Sequence, residues 1–466
     1  MSWGLLIDSF ALALLVAIFS VVVGWCVALF LVGLSGWKRV VFLLGVVISF
    51  SMPPFLIVNT WLGLFGKVGL LKPWFPFDIY SFYGAIWVLM MILWPIPCLM
   101  SFGALKRLTP ELLDTEPGLS GYGLVKYILF PLSNSALLQS GVIVFVLAFN
   151  NIAVPAILQV KVFPAQFWVQ FSSTYNFQMA WQYGWVLVSV SVFVLLVLRG
   201  REVVWPWESQ GLDPDLFSER LNQSIRWFSS AFSWSIIAIS LFLPLGHLLL
   251  DARTWMGFPD AVQAGSRSIF NSFLFAILAA TFVSILGALT SRYKMFRLSW
   301  LFFFLPGVLL GIVWIFIFNR PLFDWFYGGI FMVVAALGLR YFAIGWEAMR
   351  AINSSIDTDL KSAADLFGLP WWQRWQHLFQ PQASWAIVMV WYVIYLLSLW
   401  DTETVVLIVP PGGETLALRI FNLLHYGHHP QVNALCLILL ALAMLPIILG
   451  FFAKKIIKKR FAQGEP

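Results

Sequence analysis

Residues 5–32, LLIDSFALALLVAIFSVVVGWCVALFLV, run without a polar break and carry a single charged side chain, Asp8. A hydrocarbon layer about 30 Å thick needs roughly 20 apolar residues per helical crossing. A membrane strand would alternate over about ten residues, and this stretch does not alternate. It therefore reads as a spanning helix. Without a charged leader and a small-residue cleavage site, it is expected to be a first span and not a removed signal peptide.

Runs of the same kind recur along the chain. They are expected near 5–32, 39–63, 81–101, 136–159, 181–198, 229–250, 268–290, 298–318, 328–346, 384–408 and 433–452, giving an all-α polytopic membrane protein of about 11 spans. Composition agrees: 61% of the residues are hydrophobic, 11% are charged and mean hydropathy is +0.88, which excludes the soluble globular class. The net charge of +7 would suggest nucleic acid in a soluble protein. Here the basic residues stand beside spans, where cytoplasmic positive bias accounts for them. One alternate set of connections (36–39, 102–135, 199–228, 291–297, 347–383 and the tail after 453) holds 20 Lys and Arg, and the opposite set holds 7. The expectation is an N-terminus outside and a C-terminus, with Lys454, Lys455, Lys458, Lys459 and Arg460, in the cytoplasm. Cys26, Cys98 and Cys436 all fall inside apolar runs, so they read as packing residues, not disulfides or metal ligands.

Shifting the chain by 250 residues places Gly118 on Gly368, Pro131 on Pro381, and AFNNIAVPAIL from Ala148 on SLWDTETVVLI from Ser398. The Gly and Pro matches lie in polar loops, where apolar composition does not force them. The spacing predicts a first repeat over 1–200 with five spans and a linker over 201–228, rich in Trp, Pro, Gly and charge. A second repeat over 229–466 has six spans. Parallel repeats of this kind place a pathway between the halves.

Each half has a long cytoplasmic loop. In the second, Asp357 or Thr358 can cap a helix whose Leu360, Ala363, Ala364 and Phe367 follow the spacing of one apolar face. Gly368 supplies a left-handed stop, Pro370 prevents continuation, and a second short helix is expected to end before Pro381. This segment, KSAADLFGLPWWQRWQHLFQPQ (361–382), resembles the "EAA" loop of binding-protein-dependent ABC importer permeases. Ser362 replaces the family's Glu, whereas Ala363, Ala364, Gly368 and Pro381 match. The first loop, LTPELLDTEPGLSGYGLVKYILFPL (108–132), keeps Gly118 and Pro131 but has Leu112, Leu113 and Asp114 in place of Glu-Ala-Ala. Its helix is expected from capped Thr109, with Pro110 at the first position, to Pro117.

The resemblance covers nearly the whole chain. It is closest to the fused, two-repeat permeases of the ferric iron and thiamine group, whose LALRIFNLLHYG-like segment stands here at 416–427. It implies the type I, MetI-like permease fold, two ATPase subunits docking on the cytoplasmic loops, an external or periplasmic solute-binding protein, and a small solute as cargo. Those fused permeases usually have twelve spans; this chain lacks the first peripheral helix of its first half, and its altered first loop makes the two coupling sides unequal.

No phosphate loop is present: GLFGKVG from Gly63 has the wrong spacing, with Val68 after Lys67, so ATP must bind another chain. The reading needs no metal or cofactor. His425, His428 and His429 could suggest a metal site, but no nearby carboxylate or thiolate completes one, and they read as loop residues. Asn150, Asn151, Asp401 and Glu403 interrupt apolar spans, where polar groups are costly and face the bundle interior. They are candidates for the translocation pathway; the alternative is hydrogen bonding that only holds the helices together. A secondary transporter driven by an ion gradient is the competing function. No catalytic constellation suggests an enzyme.

Overall fold

The computed structural model describes residues 3–74, 77–108, 119–198, 214–425 and 429–462, and every regular element in these segments is a helix. The first group of helices is α1 (Trp3–Val32), α2 (Gly36–Ser51), α3 (Pro54–Phe65), α4 (Phe82–Leu93), α5 (Pro95–Leu105), α6 (Gly121–Asn150), α7 (Ala153–Ile157), α8 (Phe163–Thr174) and α9 (Phe177–Val197). Next come a short α10 (Pro214–Arg220) and α11 (Gln223–Leu250), which begins earlier than the expected 229. The second group is α12 (Phe258–Thr290), α13 (Lys294–Phe304), α14 (Gly307–Phe318), α15 (Ile330–Ser355), α16 (Thr358–Leu366), α17 (Trp372–Trp400), α18 (Val405–Ile408), α19 (Leu416–His425) and α20 (His429–Ala462).

Eight helices are long and apolar enough to cross a bilayer, and up to eleven spans result if each of three bent pairs counts as one. The spans expected at 39–63, 81–101 and 298–318 are these bent pairs. The pair α2–α3 turns by 87°, α4–α5 by 43° and α13–α14 by 106°. Each break falls at proline: Pro53 and Pro54, Pro95, and Pro306. Proline lacks the N–H and clashes with the carbonyl four residues back. Met52 and Leu305, each just before a proline, are accordingly extended.

Three other prolines do not break their helices. Pro131, Pro244 and Pro381 each follow a π-helical turn, at Val125–Leu129, Ala238–Phe242 and Trp375–Phe379. The wider turn moves the hydrogen bond to the fifth residue back, so the helix passes the ring without a break. This corrects the expectation that a short helix ends before Pro381; that helix continues into the span. The loop expected over 347–383 is shorter too. Helix α15 runs on to Ser355 because Ala348, Met349 and Ile352 extend its buried face.

Among apolar helices in lipid, packing depends on close approach, not on hydrophobic burial. Helix α1 lies against α5 and α6, and α12 lies against α15 and α17 in the same manner. Small residues set both contacts. A Cβ on Gly24 would stand 2.6 Å from the Cys98 amide nitrogen, and one on Gly287 would stand 2.9 Å from the Gly345 carbonyl carbon. Helix α11, without a counterpart in the first group, runs along α1, with Trp234 set edge-on to Phe42 of α2.

The order of elements recurs along the chain. The turn Val125–Leu129 and the following Phe130–Asn150 stand 250 residues before Trp375–Phe379 and Gln380–Trp400. Helices α7, α8 and α9 are followed in the same order by α18, α19 and α20.

Candidate functional site: elbow, corners and central cavity

The elbow is built from α16 and the start of α17. Asp357 caps α16, its carboxylate accepting from the Asp359 amide at 2.8 Å. At the other end Gly368 has φ +61, a left-handed conformation that glycine adopts without Cβ strain. Its amide donates to the Asp365 carbonyl at 3.1 Å and the Leu369 amide to the Ala364 carbonyl at 3.1 Å, the double closure of a Schellman stop. Arg374, beyond the hinge, reaches back: it donates to the Leu369 carbonyl at 2.7 Å and pairs with Asp365. The two arms are thus held at a fixed angle. Ala364 is buried and Ala363 half-buried, while Leu366 is 87% and Phe367 80% exposed, leaving an apolar tip in the open. Lys361 anchors the base of the elbow, its ammonium donating to the Asn353 carbonyl; burial, and then the nearby Arg292 charge, holds its pKa below the ordinary lysine value.

The corners lie at the opposite ends of α6 and α17. Asn151 follows α6, and its side-chain oxygen accepts from the Val154 amide at 2.9 Å, which starts α7. Asp401 follows α17 and does the same for the Thr404 amide at 2.7 Å. Here the likeness stops. Asp401 also accepts from Arg340 of α15 at 2.9 Å, from the Tyr341 hydroxyl at 2.8 Å and from the Thr404 hydroxyl at 2.9 Å. Arg340 further donates to Glu403 at 2.6 Å and to the Thr404 hydroxyl at 2.6 Å. The pairs are almost water-free, with side-chain exposures of 5% for Arg340, 0% for Asp401 and 11% for Glu403. A Cβ on Gly307 would stand 2.1 Å from the Arg340 guanidinium, so only glycine admits this arrangement.

The two corners also touch. Glu403 faces Ile152 across a small pocket, and Asn150 donates at 3.2 Å to the Phe304 carbonyl, which Ser191 also reaches at 3.0 Å. The break before Pro306 deprives that carbonyl of its helical partner, and an unpaired carbonyl in a dry bundle is costly. Side-chain donors of the first group of helices thus meet a carbonyl of the second.

Below the corners lies a cavity of about 270 Å³ between the two groups. Its walls come in matched pairs: Phe50 and Phe303, each just before its proline break, and Ile143 with Val393 and Leu147 with Leu397, each 250 apart.

The sequence candidates fall into separate places. Ala363, Ala364 and Gly368 form the elbow, and Pro381 sits at the base of α17; Pro131 has the same position in α6. Asp114 and Gly118, with the expected helix from Thr109 to Pro117, lie outside the described residues. Asn150, Asn151, Asp401 and Glu403 gather at the corners and do not line the large cavity. His425 stacks on Phe421, and His428 lies outside the described residues. Sequence reading places Arg340 within a span but gives neither it nor Arg374 a role. A guanidinium inside a span signals a buried partner, and two carboxylates within four residues of each other were the available clue.

Residues 290–463 match the family described as binding-protein-dependent transport system inner membrane component. Over 216 residues the chain is 27% identical to the permease protein PhnV, named for a 2-aminoethylphosphonate transport system, of Salmonella typhi and of Salmonella paratyphi A; the Salmonella typhimurium protein of that name is 26% identical. The aligned part covers 43% of this chain and 76% of each relative. No solved structure gives a significant match. Eight to eleven apolar spans, an all-helical bundle and this family match make the chain the transmembrane permease subunit of a binding-protein-dependent ABC importer, a multi-pass inner-membrane transport protein and not itself an enzyme.

Proposed function

We propose that this permease is two repeats in one polypeptide, 1–200 and 229–466 joined through 201–228, and that it couples to two ATPase subunits at its cytoplasmic face, chiefly through the elbow at Thr358–Phe379. The observation that carries the reading is the elbow itself. A short capped helix with a Schellman stop, braced by Arg374, presents Leu366 and Phe367 to the outside, as a rigid knob must if it is to transmit motion from a groove on another subunit. The recurrence of helices at a spacing of 250 residues supports the fused-repeat organisation.

In this reading the N-terminus is outside and the C-terminus cytoplasmic, and an external solute-binding protein delivers cargo above the corners. Closure of the ATPases rocks one group of helices against the other, opening and closing the passage between them. The cargo is a small solute. The relatives are named for 2-aminoethylphosphonate, and the fused permeases this chain resembles carry ferric iron, thiamine and similar solutes. Gly368→Pro tests the coupling. Proline cannot take φ +61, so the elbow loses its stop. Membrane insertion is expected to stay intact while ATP-driven uptake is lost; normal uptake in this variant would refute the assignment. Labelling of a cysteine placed at Ser362 by an impermeant thiol reagent in intact cells would overturn the orientation.

A further inference from the structure

The large central cavity extends along α17 from Trp385 to Leu397, about 18 Å at 1.5 Å per residue. It ends one turn before Asp401, and on the other side Leu147 ends it one turn before Asn151. Six of its residues are aromatic: Phe50, Phe102, Trp300, Phe303, Trp385 and Tyr392. The lining contains no charged side chain. The Tyr392 hydroxyl is already engaged, with Ser51 at 2.7 Å and the Ala443 carbonyl at 3.1 Å. Asp401 and Glu403, beyond its end on α17, are turned onto Arg340, while Arg297 and Glu347 line a smaller neighbouring pocket that shares Ile143 and Trp300 with it.

These walls decide what can rest between the halves. A phosphonate dianion or a multiply charged metal ion entering here loses water and receives no compensating charge from the side chains that line the cavity. An aromatic ring loses little on dehydration and gains offset or edge-on contact with several rings. The volume also suits a single small ring system. We propose that this cavity is the resting site of the transported solute and that it selects an aromatic organic molecule with no net negative charge, unlike the cargo for which the relatives are named. The inference rests on the reading of the chain as a permease with its passage between the halves.

The test uses the full-length chain in nanodiscs, with single cysteines at Met389→Cys or Val47→Cys inside the cavity and at Leu14→Cys on the exposed side of α1. Labelling by a small methanethiosulfonate reagent is followed above the background of the three native cysteines, with indole or methylphosphonate present. Indole is expected to slow labelling at both cavity positions by at least about threefold, the protection that accompanies occupancy of roughly two thirds. Methylphosphonate is expected to have no effect, and Leu14→Cys to be unaffected by either. Protection by methylphosphonate, no protection by indole, no labelling at either cavity position, or equal protection at Leu14→Cys through general partitioning would each overturn the proposal. Stimulation of ATP hydrolysis by loaded binding protein in the reconstituted complex checks the permease reading separately, because it requires nothing of the isolated chain's cavity.

Discussion

The corner at Asn151 and the corner at Asp401 have the same backbone plan but different chemistry. Each ends a long helix, and each uses a side-chain oxygen to accept the amide three residues on. That task needs no charge, as Asn151 demonstrates. The carboxylate at 401 accompanies Arg340, and the first half has Met90 and Met91 where the 250-residue shift places Arg340 and Tyr341. The ionic cluster is therefore an addition to a corner that forms without it. Its further effect is to hold Glu403 facing Ile152 of the other corner. A charge introduced for capping alone would not require that reach.

The largest expected effect comes from removing the cation. Arg340→Met leaves two buried carboxylates without their partner, at a cost of about 3–5 kcal/mol, and the purified variant should melt far below the parent in detergent. By contrast Met90→Leu, at the matched place, should cost less than about 1.5 kcal/mol, because it conserves volume and involves no charge. If the two variants melt together, the ionic cluster does not stabilise its corner.

The comparison sharpens when the second corner is made like the first. The triple variant Arg340→Met, Asp401→Asn, Glu403→Gln keeps the cap and removes every charge, so it should recover most of the stability lost by Arg340→Met, coming within about 1–2 kcal/mol of the parent. Its transport should still be impaired, since the aim of Glu403 at Ile152 depends on Arg340; uptake at the parent rate would show that the tie between the corners has no part in the cycle.

Smaller effects are expected in the neutral corner. Asn151→Ala removes a cap and should cost about 0.5–2 kcal/mol by thermal melt. Asn151→Asp keeps the cap oxygen but places a charge at a half-buried position with no arginine opposite, so it should cost more than the alanine variant; the reverse order would mean that water reaches the corner. The smallest change is Arg374→Ala at the elbow. Its partner Asp365 is 68% exposed, so the loss should stay below about 1 kcal/mol while coupled uptake falls, because the arms of the elbow are no longer held.

Much of the helical plan was legible because lipid leaves the backbone few choices. A long apolar run must satisfy its own hydrogen bonds, which makes composition and run length enough to find the spans. The elbow was legible for a local reason: Asp357, Gly368 and Pro370 act on neighbours a few residues away, and the cap and the left-handed stop stand at Asp357 and Gly368. Proline was harder to read. The ring at Pro306 bends the chain by 106°, whereas Pro381 is passed through a π turn. The residue type is the same, and the difference lies in whether neighbouring helices supply partners for the freed carbonyls.

The sequence by itself determined the membrane class, the order of the helices and the caps, since these follow from hydropathy over a span or from contacts within one helical turn. The tertiary structure alone decided that Arg340 meets carboxylates 61 and 63 residues away, that Asn150 answers the Phe304 carbonyl, and that aromatic residues from both groups of helices line one apolar cavity. Such meetings depend on how rigid helices cross in three dimensions. Spacing along the chain carries no record of that crossing.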